Sequence, residues 1–146
     1  MKRASPLLLV FLLLAGCRLH TLEDGEYVIT PGEIIRDDCG LAGSDLLGPV
    51  VLRTEGNLVT MTLSKPALRL VGTYRFSTEE MTMDGSISNF STVLRGQQCL
   101  LDNVQFHVDT STDTTSTFNG EMSISFEARS PDACVCKFWF KFNAAH

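Results

Sequence analysis

The alternation of apolar and polar residues near the C-terminus is the sequence feature that most constrains the fold. Between positions 118 and 128, phenylalanine, glycine, methionine, isoleucine and alanine occupy the even positions, and asparagine, glutamate and serine occupy the odd ones. Successive side chains of a β-strand point to opposite faces of a sheet, so this pattern predicts a strand with one buried and one solvated face. The residues that follow include Pro131 and Asp132, which favour a turn.

A second alternating segment follows that turn and completes a predicted β-hairpin. Its apolar face consists of Cys134, Cys136, Phe138, Phe140 and Phe142. Shorter segments with the same period lie near residues 50–54, 59–63, 68–76, 81–88 and 104–108. No segment keeps a helical period over three turns. Short strands in series, each with one apolar face, predict an all-β fold, either an antiparallel β-sandwich or a small β-barrel of about 6–8 strands.

The N-terminus carries a processing signal. Lys2 and Arg3 make the start positive, an apolar run occupies positions 6–14, and small residues precede Cys17. The apolar run suits a secretory signal and is too short to span a membrane, which takes about 20 residues. The sequence LAGC at positions 14–17 resembles the lipobox of bacterial lipoproteins. This resemblance implies cleavage after Gly16 and lipidation of Cys17, with palmitate among the acyl chains.

The lipobox resemblance also implies a cellular location and a domain organisation. Residue 18 is arginine, not the aspartate that retains lipoproteins at the inner membrane of enteric bacteria. We therefore expect a lipid anchor in the outer membrane, with the domain on its periplasmic or cell-surface side. The predicted organisation is a signal peptide at 1–16, a lipidated cysteine and tether at 17–27, and a single all-β domain at 28–146.

The C-terminal part of the chain carries a second, looser resemblance. The sequences FNGEMSISFEA and SPDACVCKF are similar to those of small uncharacterised lipoproteins of myxobacteria and their relatives. This resemblance implies a similar fold and gives no activity.

The remaining cysteines predict a fold stabilised by two disulfides. Cys39, Cys99, Cys134 and Cys136 are an even set in an exported chain, which favours disulfides. Within one strand, the Cβ atoms of Cys134 and Cys136 would lie roughly 6–7 Å apart, whereas a disulfide needs about 3.8 Å. One of them therefore pairs with Cys39 and the other with Cys99, and the sequence leaves open which. The alternative, a four-cysteine zinc site, lacks its usual pair of C-x₂-C spacings.

The net charge argues against a nucleic-acid partner. The full chain has 12 basic and 17 acidic side chains. Removal of the signal takes away Lys2 and Arg3 and no acid, so 10 basic and 17 acidic side chains remain, a formal charge of −7. An acidic domain without a basic run does not attract a polyphosphate backbone.

Candidate catalytic residues are few, and we expect no enzyme activity, no cofactor and no metal. The sequence has no metalloprotease, nucleophile-elbow, phosphate-loop or dinucleotide motif. His107 and Asp109 share the polar face of one predicted strand, which predicts a solvated histidine, since general-base chemistry would need a partner. The segment 109–117 could supply oxygens to calcium, but it lacks the glycine and glutamate of an EF-hand and is predicted to be a polar loop.

Trp139 is the most suggestive surface residue. It is the only tryptophan, and it lies on the less apolar face of the last predicted strand between Lys137 and Lys141. An exposed aromatic side chain flanked by cations suits a contact with a glycan or a protein. These three residues are therefore the candidate partner-contact site. The alternative is that Trp139 packs against a neighbouring part of its own chain.

These features favour a non-enzymatic envelope lipoprotein that binds an envelope protein or a wall polymer while its lipid holds it in the membrane. The alternative is a carrier of a lipid or other small molecule, whose barrel would enclose an apolar cavity. A lysozyme inhibitor of the small lipoprotein type is less favoured, because the loop motif of that family, a serine and glycine before a tyrosine, is not found here. An enzyme is the least favoured class.

Overall fold

The alternating segments form strands in the computed structural model, which describes residues 21–45, 47–129 and 131–146. The predicted signal peptide, the lipobox and Cys17 lie outside the described residues. The strands are β1 (Gly25–Asp37), β2 (Pro49–Glu55), β3 (Leu58–Ser64), β4 (Ala67–Arg75), β5 (Glu80–Leu94), β6 (Gln97–Thr112), β7 (Thr117–Glu127) and β8 (Cys136–Ala145). One turn of 3₁₀-helix, Asp132–Cys134, precedes β8. Among the described residues, no helix has the length and hydropathy needed to cross a membrane.

The eight described strands close into an antiparallel barrel in chain order, with β8 paired back to β1. This confirms the all-β prediction and selects the barrel over the sandwich. The predicted hairpin is β7 and β8, whose register runs from Thr117 opposite Ala145 to Phe126 opposite Cys136. Because each strand pairs with the next, the apolar faces of all the strands turn toward one interior.

The barrel interior is filled by the apolar side chains that the alternation predicted. The rings of Phe138 and Phe140 stack with their centroids 4.9 Å apart, and those of Phe118 and Phe142 meet edge to face at 6.0 Å. All four side chains are buried. Burial of a side chain of this size stabilises the fold by roughly 1.5–3 kcal/mol, so this packed interior is the main source of stability.

Two glycines mark places where neighbouring strands approach closely. A Cβ atom added at Gly72 in β4 would lie 1.8 Å from the carbonyl oxygen of Thr82, and one at Gly120 in β7 would lie 2.1 Å from that of Asp109. Both distances are far below van der Waals contact. Glycine is therefore required at these positions for the sheet to coil tightly enough to close.

The two ends of the barrel differ in construction. At the first, named the closed end, the chain enters β1 and leaves β8, and the turns 56–57, 76–79 and 113–116 join neighbouring strands. At the second, named the split end, the long segment 38–48 joins β1 to β2. The connections 65–66, 95–96 and 128–135 lie at this end as well.

Both disulfides lie at the split end. Cys39 is bonded to Cys136 at the start of β8, and Cys99 in β6 is bonded to Cys134. This confirms that Cys134 and Cys136 pair elsewhere and not with each other. The prediction that both cysteines lie in one strand is wrong for Cys134, which belongs to the 3₁₀ turn. The turn that begins near Pro131 extends further than the alternation indicated, so β8 starts only at Cys136.

Ordered contacts begin before residue 28, the predicted start of the domain. β1 starts at Gly25, and Leu22 is already buried against the core. The Glu23 amide donates a hydrogen bond to the Thr115 carbonyl, and the Tyr27 hydroxyl donates one to the Glu23 carbonyl, both over 2.8 Å. These contacts fix the path by which the chain enters the closed end.

Candidate functional site

Toward the split end, β1 extends beyond the start of β2 at Pro49. Only the first part of β1, from Gly25 to Val28, pairs with β2, whereas β1 continues along β8 to its last residue. Beyond Val28, no described residue forms a ladder with the edge of β1 that faces away from β8. This part of β1 also carries two register shifts against β8, one on each side of Ile34. One edge of β1 is therefore free of strand pairing at this end.

An apolar groove lies along this free edge of β1, beyond the start of β2. Its volume is about 750 Å³, which is within the usual range of ligand sites. The charged residues of its described lining are Glu26 and Asp45, and this lining contains no lysine or arginine. The apolar part of the lining is formed mainly by Val28, Ile29, Ile34, Leu41, Leu47, Phe138 and Phe140. The groove therefore presents an apolar surface with a negative rim.

Asp37 holds the start of the segment 38–48 in place. Its carboxylate accepts hydrogen bonds from the amides of Cys39, Leu41 and Ala42 over 3.2, 3.0 and 2.9 Å. Burial raises the pKa of Asp37, but the hydrogen bonds from these amides outweigh it and hold the pKa below its usual value. The ionised carboxylate thus orders the turn that places Leu41 against the core.

The rest of the segment is fixed against the connection between β3 and β4. The Ser64 hydroxyl donates to the Leu47 carbonyl over 3.1 Å, and Lys65 Nζ lies 3.1 Å from a carboxylate oxygen of Asp45. Leu47 is buried. Together with the Cys39 disulfide, these contacts make the segment a fixed wall of the groove.

A second apolar site, named the recess, lies on the side of the segment that faces β5, β6 and β7. Its volume is about 370 Å³, and it shares Leu41 and Asp45 with the groove. Its apolar lining includes Pro66, Phe90, Leu94, Val104, Phe106 and Phe126. The segment 38–48 therefore divides the mouth of the barrel into two neighbouring apolar sites.

The predicted partner-contact residues lie on the outer face of β8, and their charged groups have partners within the chain. Lys137 Nζ lies 5.4 Å from the centroid of the Trp139 ring, and Trp139 Nε1 donates to Glu121 over 3.1 Å. Lys141 instead donates to Glu33 of β1 over 2.7 Å. That hydrogen bond raises the pKa of Lys141 and lowers the pKa of Glu33. Lys137 and Trp139 are therefore in contact with each other, whereas Lys141 is directed toward β1.

His107 lies between two carboxylates on the outer face of β5 and β6. Its Nδ1 is 2.6 Å from Asp84, which lies directly opposite in the register, and its Nε2 is 2.9 Å from Asp109. The hydrogen bond with Asp84 raises the pKa of His107, burial lowers it, and Asp109 raises it further, so the net pKa is above its ordinary value. Both ring nitrogens are engaged, which leaves neither free to take a proton from a substrate.

The described side chains offer few groups for other chemistry. All four described cysteines are bonded in disulfides. Within the ranges that the structure describes, no cluster of three or more histidine, cysteine, aspartate or glutamate side chains is placed to hold a metal ion. What the mouth of the barrel offers is apolar surface beside an unpaired strand edge, which suits binding.

Comparisons with known proteins add no assignment. No protein-family model, curated protein or solved structure matches the chain. The geometry of the groove, of the Trp139 surface and of the His107 cluster is therefore the basis for any functional conclusion.

Sequence reasoning did not identify the groove. The residues that form it are far apart in the chain, and several of them, such as Phe138 and Phe140, read as ordinary core positions. One signal was present in the sequence: the run VITPGEII at 28–35 places Pro31 and Gly32 inside an apolar stretch. A proline within a strand indicates a free edge or a bulge, and β1 has both.

Proposed function

We propose that this chain is an envelope lipoprotein that is anchored in the outer membrane by a lipid on Cys17 and binds a partner in the groove, without catalysis. The observation that carries this proposal is the apolar groove of about 750 Å³ where β1 extends beyond β2. Ile34 and Val28 line it while 43% and 62% exposed. Covering such a surface contributes roughly 25 cal/mol for each Å² of apolar area removed from water.

The position of the proposed anchor supports this assignment. Cys17 precedes Leu22 by five residues, which reach at most about 18 Å when extended. The 11 residues of β7 span roughly 36 Å along the strand, or about 28 Å along a barrel axis at the usual strand tilt. A lipid on Cys17 would therefore hold the closed end near the membrane and leave the groove at the opposite end, open to a partner.

The Trp139 surface is a second part of the proposed contact. Trp139 lies on the outer face of β8, while its neighbours Phe138 and Phe140 line the groove. A partner that covers the free edge of β1 and extends over the outer face of the barrel toward β8 would also contact the tryptophan ring. Trp139→Ala is therefore expected to weaken binding less than a change inside the groove.

A carrier of a small apolar molecule is the second candidate function, because a specific observation favours it. The recess of about 370 Å³ adjoins the groove at Leu41 and is lined by Phe90, Phe106 and Phe126. A ligand of a few hundred daltons fits at this mouth. The barrel interior is packed with side chains, so such a ligand would lie at the split end and not at the centre.

The proposal is tested by placing a photo-crosslinking amino acid at position 34 of the full chain in the membrane of the bacterium that encodes it. Val71 in β4 is the matched control, since it is an apolar residue on a strand, 45% exposed, that lines neither site. Position 137 tests the Trp139 surface separately. The mass of each adduct distinguishes a protein, a wall polymer and a small molecule.

Adducts at position 34 and none at position 71 are the expected result. A protein or polymer adduct supports the binding module. An adduct of a few hundred daltons, together with the same mass released from the native protein on denaturation, makes the carrier the correct assignment. Equal labelling at positions 34 and 71, or labelling at position 137 alone, contradicts a binding site in the groove.

A further inference from the structure

We propose that the partner enters the groove as an extended peptide segment, which adds as a further strand to the free edge of β1 at residues 29–36. This inference rests on the proposed function of the groove and specifies the chemistry of its partner. Addition of a strand to an open sheet edge is a general mode of peptide recognition, in which main-chain hydrogen bonds supply affinity and alternate side chains supply specificity.

The backbone of β1 provides the first argument. Its residues from Ile29 onward pair with β8 on one side only. Among the described residues, Asp37 binds amides of the segment 38–48, but no hydrogen bond joins that segment to the backbone of residues 29–36. Alternate residues of an antiparallel strand direct their N–H and C=O groups to the same side. A row of such groups therefore faces the groove without a strand partner.

The side chains around this edge provide the second argument. Ile29 and Ile34 extend along the strand, and Leu41, Leu47, Phe138 and Phe140 lie across the groove from them or beneath it. A strand laid beside β1 at the usual spacing of about 4.8 Å would direct every second side chain toward this apolar surface. The groove therefore matches an extended segment with apolar residues at alternate positions.

The charged residues at the groove indicate the sign of the charge that the partner carries. Glu26 and Asp45 are its charged lining residues among those described. Asp45 is paired with Lys65, whereas Glu26 is exposed and has no ion pair in the described structure. The chain as a whole is acidic, with 17 acidic against 12 basic side chains. A lysine or arginine in the segment, near the Glu26 end of the groove, complements this surface.

The irregularity of β1 favours a short peptide over a second copy of this chain. Pro31 has no N–H to offer, and the two register shifts around Ile34 bend the strand. Proline and bulges on an edge strand hinder edge-to-edge pairing of identical sheets. A flexible peptide follows a bent edge over a few residues, whereas the same edge of another rigid barrel does not.

The test is selection of ten-residue peptides from a phage-displayed library against the full chain, purified from membranes in mild detergent. The selected peptides are then synthesised with an N-methyl group at each position in turn. N-methylation removes one backbone donor and leaves the side chain in place. The affinity of each peptide is measured for the unmodified chain, for Ile34→Asp and for the matched control Val71→Asp.

We expect the peptides to alternate apolar and polar residues and to carry a lysine or arginine. Ile34→Asp should weaken binding by about tenfold or more, and Val71→Asp by less than about twofold. N-methylation should reduce affinity by about tenfold at every second position and have little effect between them, because only alternate amides face β1.

Three results would overturn the inference, and each disproves a different part of it. Peptides that depend on Ile34 but show no alternation under N-methylation bind the groove without adding a strand, so the groove keeps its proposed function and strand addition is wrong. Selection that yields no binder dependent on Ile34 overturns peptide recognition, and overturns the groove as well if crosslinking at position 34 also fails. A dimer of the chain that Ile34→Asp dissociates identifies a second copy as the occupant.

Discussion

The closed end and the split end of the barrel are built in opposite ways. At the closed end, β1 and β2 pair from Gly25 to Val28, short turns join the strands, and Tyr27 packs under the entering chain. At the split end β1 extends beyond β2, and the segment 38–48, held by the Cys39–Cys136 disulfide and by Asp37, forms one wall of the groove. Strand pairing thus holds β1 at the closed end, whereas the segment beside the groove depends on a disulfide and on side-chain hydrogen bonds.

The largest effect is expected from removal of the Cys39–Cys136 disulfide. Its cysteines are 97 residues apart, and closing a loop of that length stabilises the folded state by about 4–5 kcal/mol in the chain-entropy estimate. The double variant Cys39→Ala with Cys136→Ala should lose most of that free energy of unfolding in urea titrations. It should also lose affinity for any ligand of the groove, since Cys39 fixes the groove wall.

The second disulfide provides the control for this prediction. Cys99 and Cys134 are 35 residues apart, which corresponds to about 3–4 kcal/mol, and neither residue lines the groove. Their removal should therefore cost stability with a smaller effect on binding. A loss below about 1 kcal/mol for the Cys39 variant would contradict the view that the split end depends on its disulfides.

A smaller loss of stability, with no loss of binding, is expected at the closed end. Tyr27 is fully buried, and its ring lies 5.2 Å from that of Phe118. Tyr27→Ala should cost about 3 kcal/mol, and Tyr27→Phe about 1 kcal/mol, because the latter removes only the hydrogen bond to Glu23. Thermal unfolding measures both. If either variant weakened groove binding as strongly as the Cys39 variant, the two ends would not be independent.

Asp37→Ala is expected to have a modest effect on stability that is concentrated at the split end. The substitution leaves three backbone amides of the segment 38–48 without their acceptor, which should cost about 1–2 kcal/mol. Because the folded-state pKa of Asp37 is lowered, its contribution is present above the unfolded pKa and is lost as the pH falls through the folded value. Unfolding at pH 7 and at pH 3 should therefore show a larger difference between wild type and variant at pH 7.

The smallest effect is expected on the barrel wall, away from both ends. The pKa of His107 is raised above 6.5, so its protonated form stabilises the fold fully below the unfolded pKa, and this contribution disappears as the pH rises through the folded value. The side chain is 46% exposed, so screening by solvent limits the contribution to less than about 1 kcal/mol. His107→Gln should remove this pH dependence of unfolding, which begins near the ordinary pKa of histidine at about 6.5 and lies above it, and leave groove binding unchanged.

The regular parts of the barrel were predictable from the sequence, whereas the free edge of β1 was not. The alternation in β7 and β8 specified their facing side chains, and the absence of a Cys134–Cys136 bond was predicted correctly, although Cys134 lies in the 3₁₀ turn and not in the strand that the argument assumed. Period-2 patterns report local strand geometry, so they cannot show that β1 extends beyond the first residue of β2. That overhang depends on the registers of both neighbours of β1, which the pattern does not contain.

Two smaller differences have the same cause. The polar segment 109–117 was predicted to be a loop, but β6 continues to Thr112, and Thr110 and Thr112 are buried. Threonine favours strands, and pairing with β5 and β7 outweighs the weak strand preference of Asp109. His107 was predicted to be solvated beside Asp109, and its contact with Asp84 depends on a cross-strand register that no local pattern reveals.

The central claim, that β1 pairs with β2 only up to Val28 and with β8 alone beyond it, is tested most directly by amide hydrogen exchange. Residue-resolved exchange in β1 would be followed by NMR on the oxidised full chain. From Gly25 to Val28, we expect the amides that face β2 to be protected. From Ile29 to Arg36, we expect amides that face β8 to be protected and those that face the groove to exchange close to the rate of an unfolded chain. Uniform protection along β1 to Asp37 would contradict a free edge, and with it the proposed groove and its peptide partner.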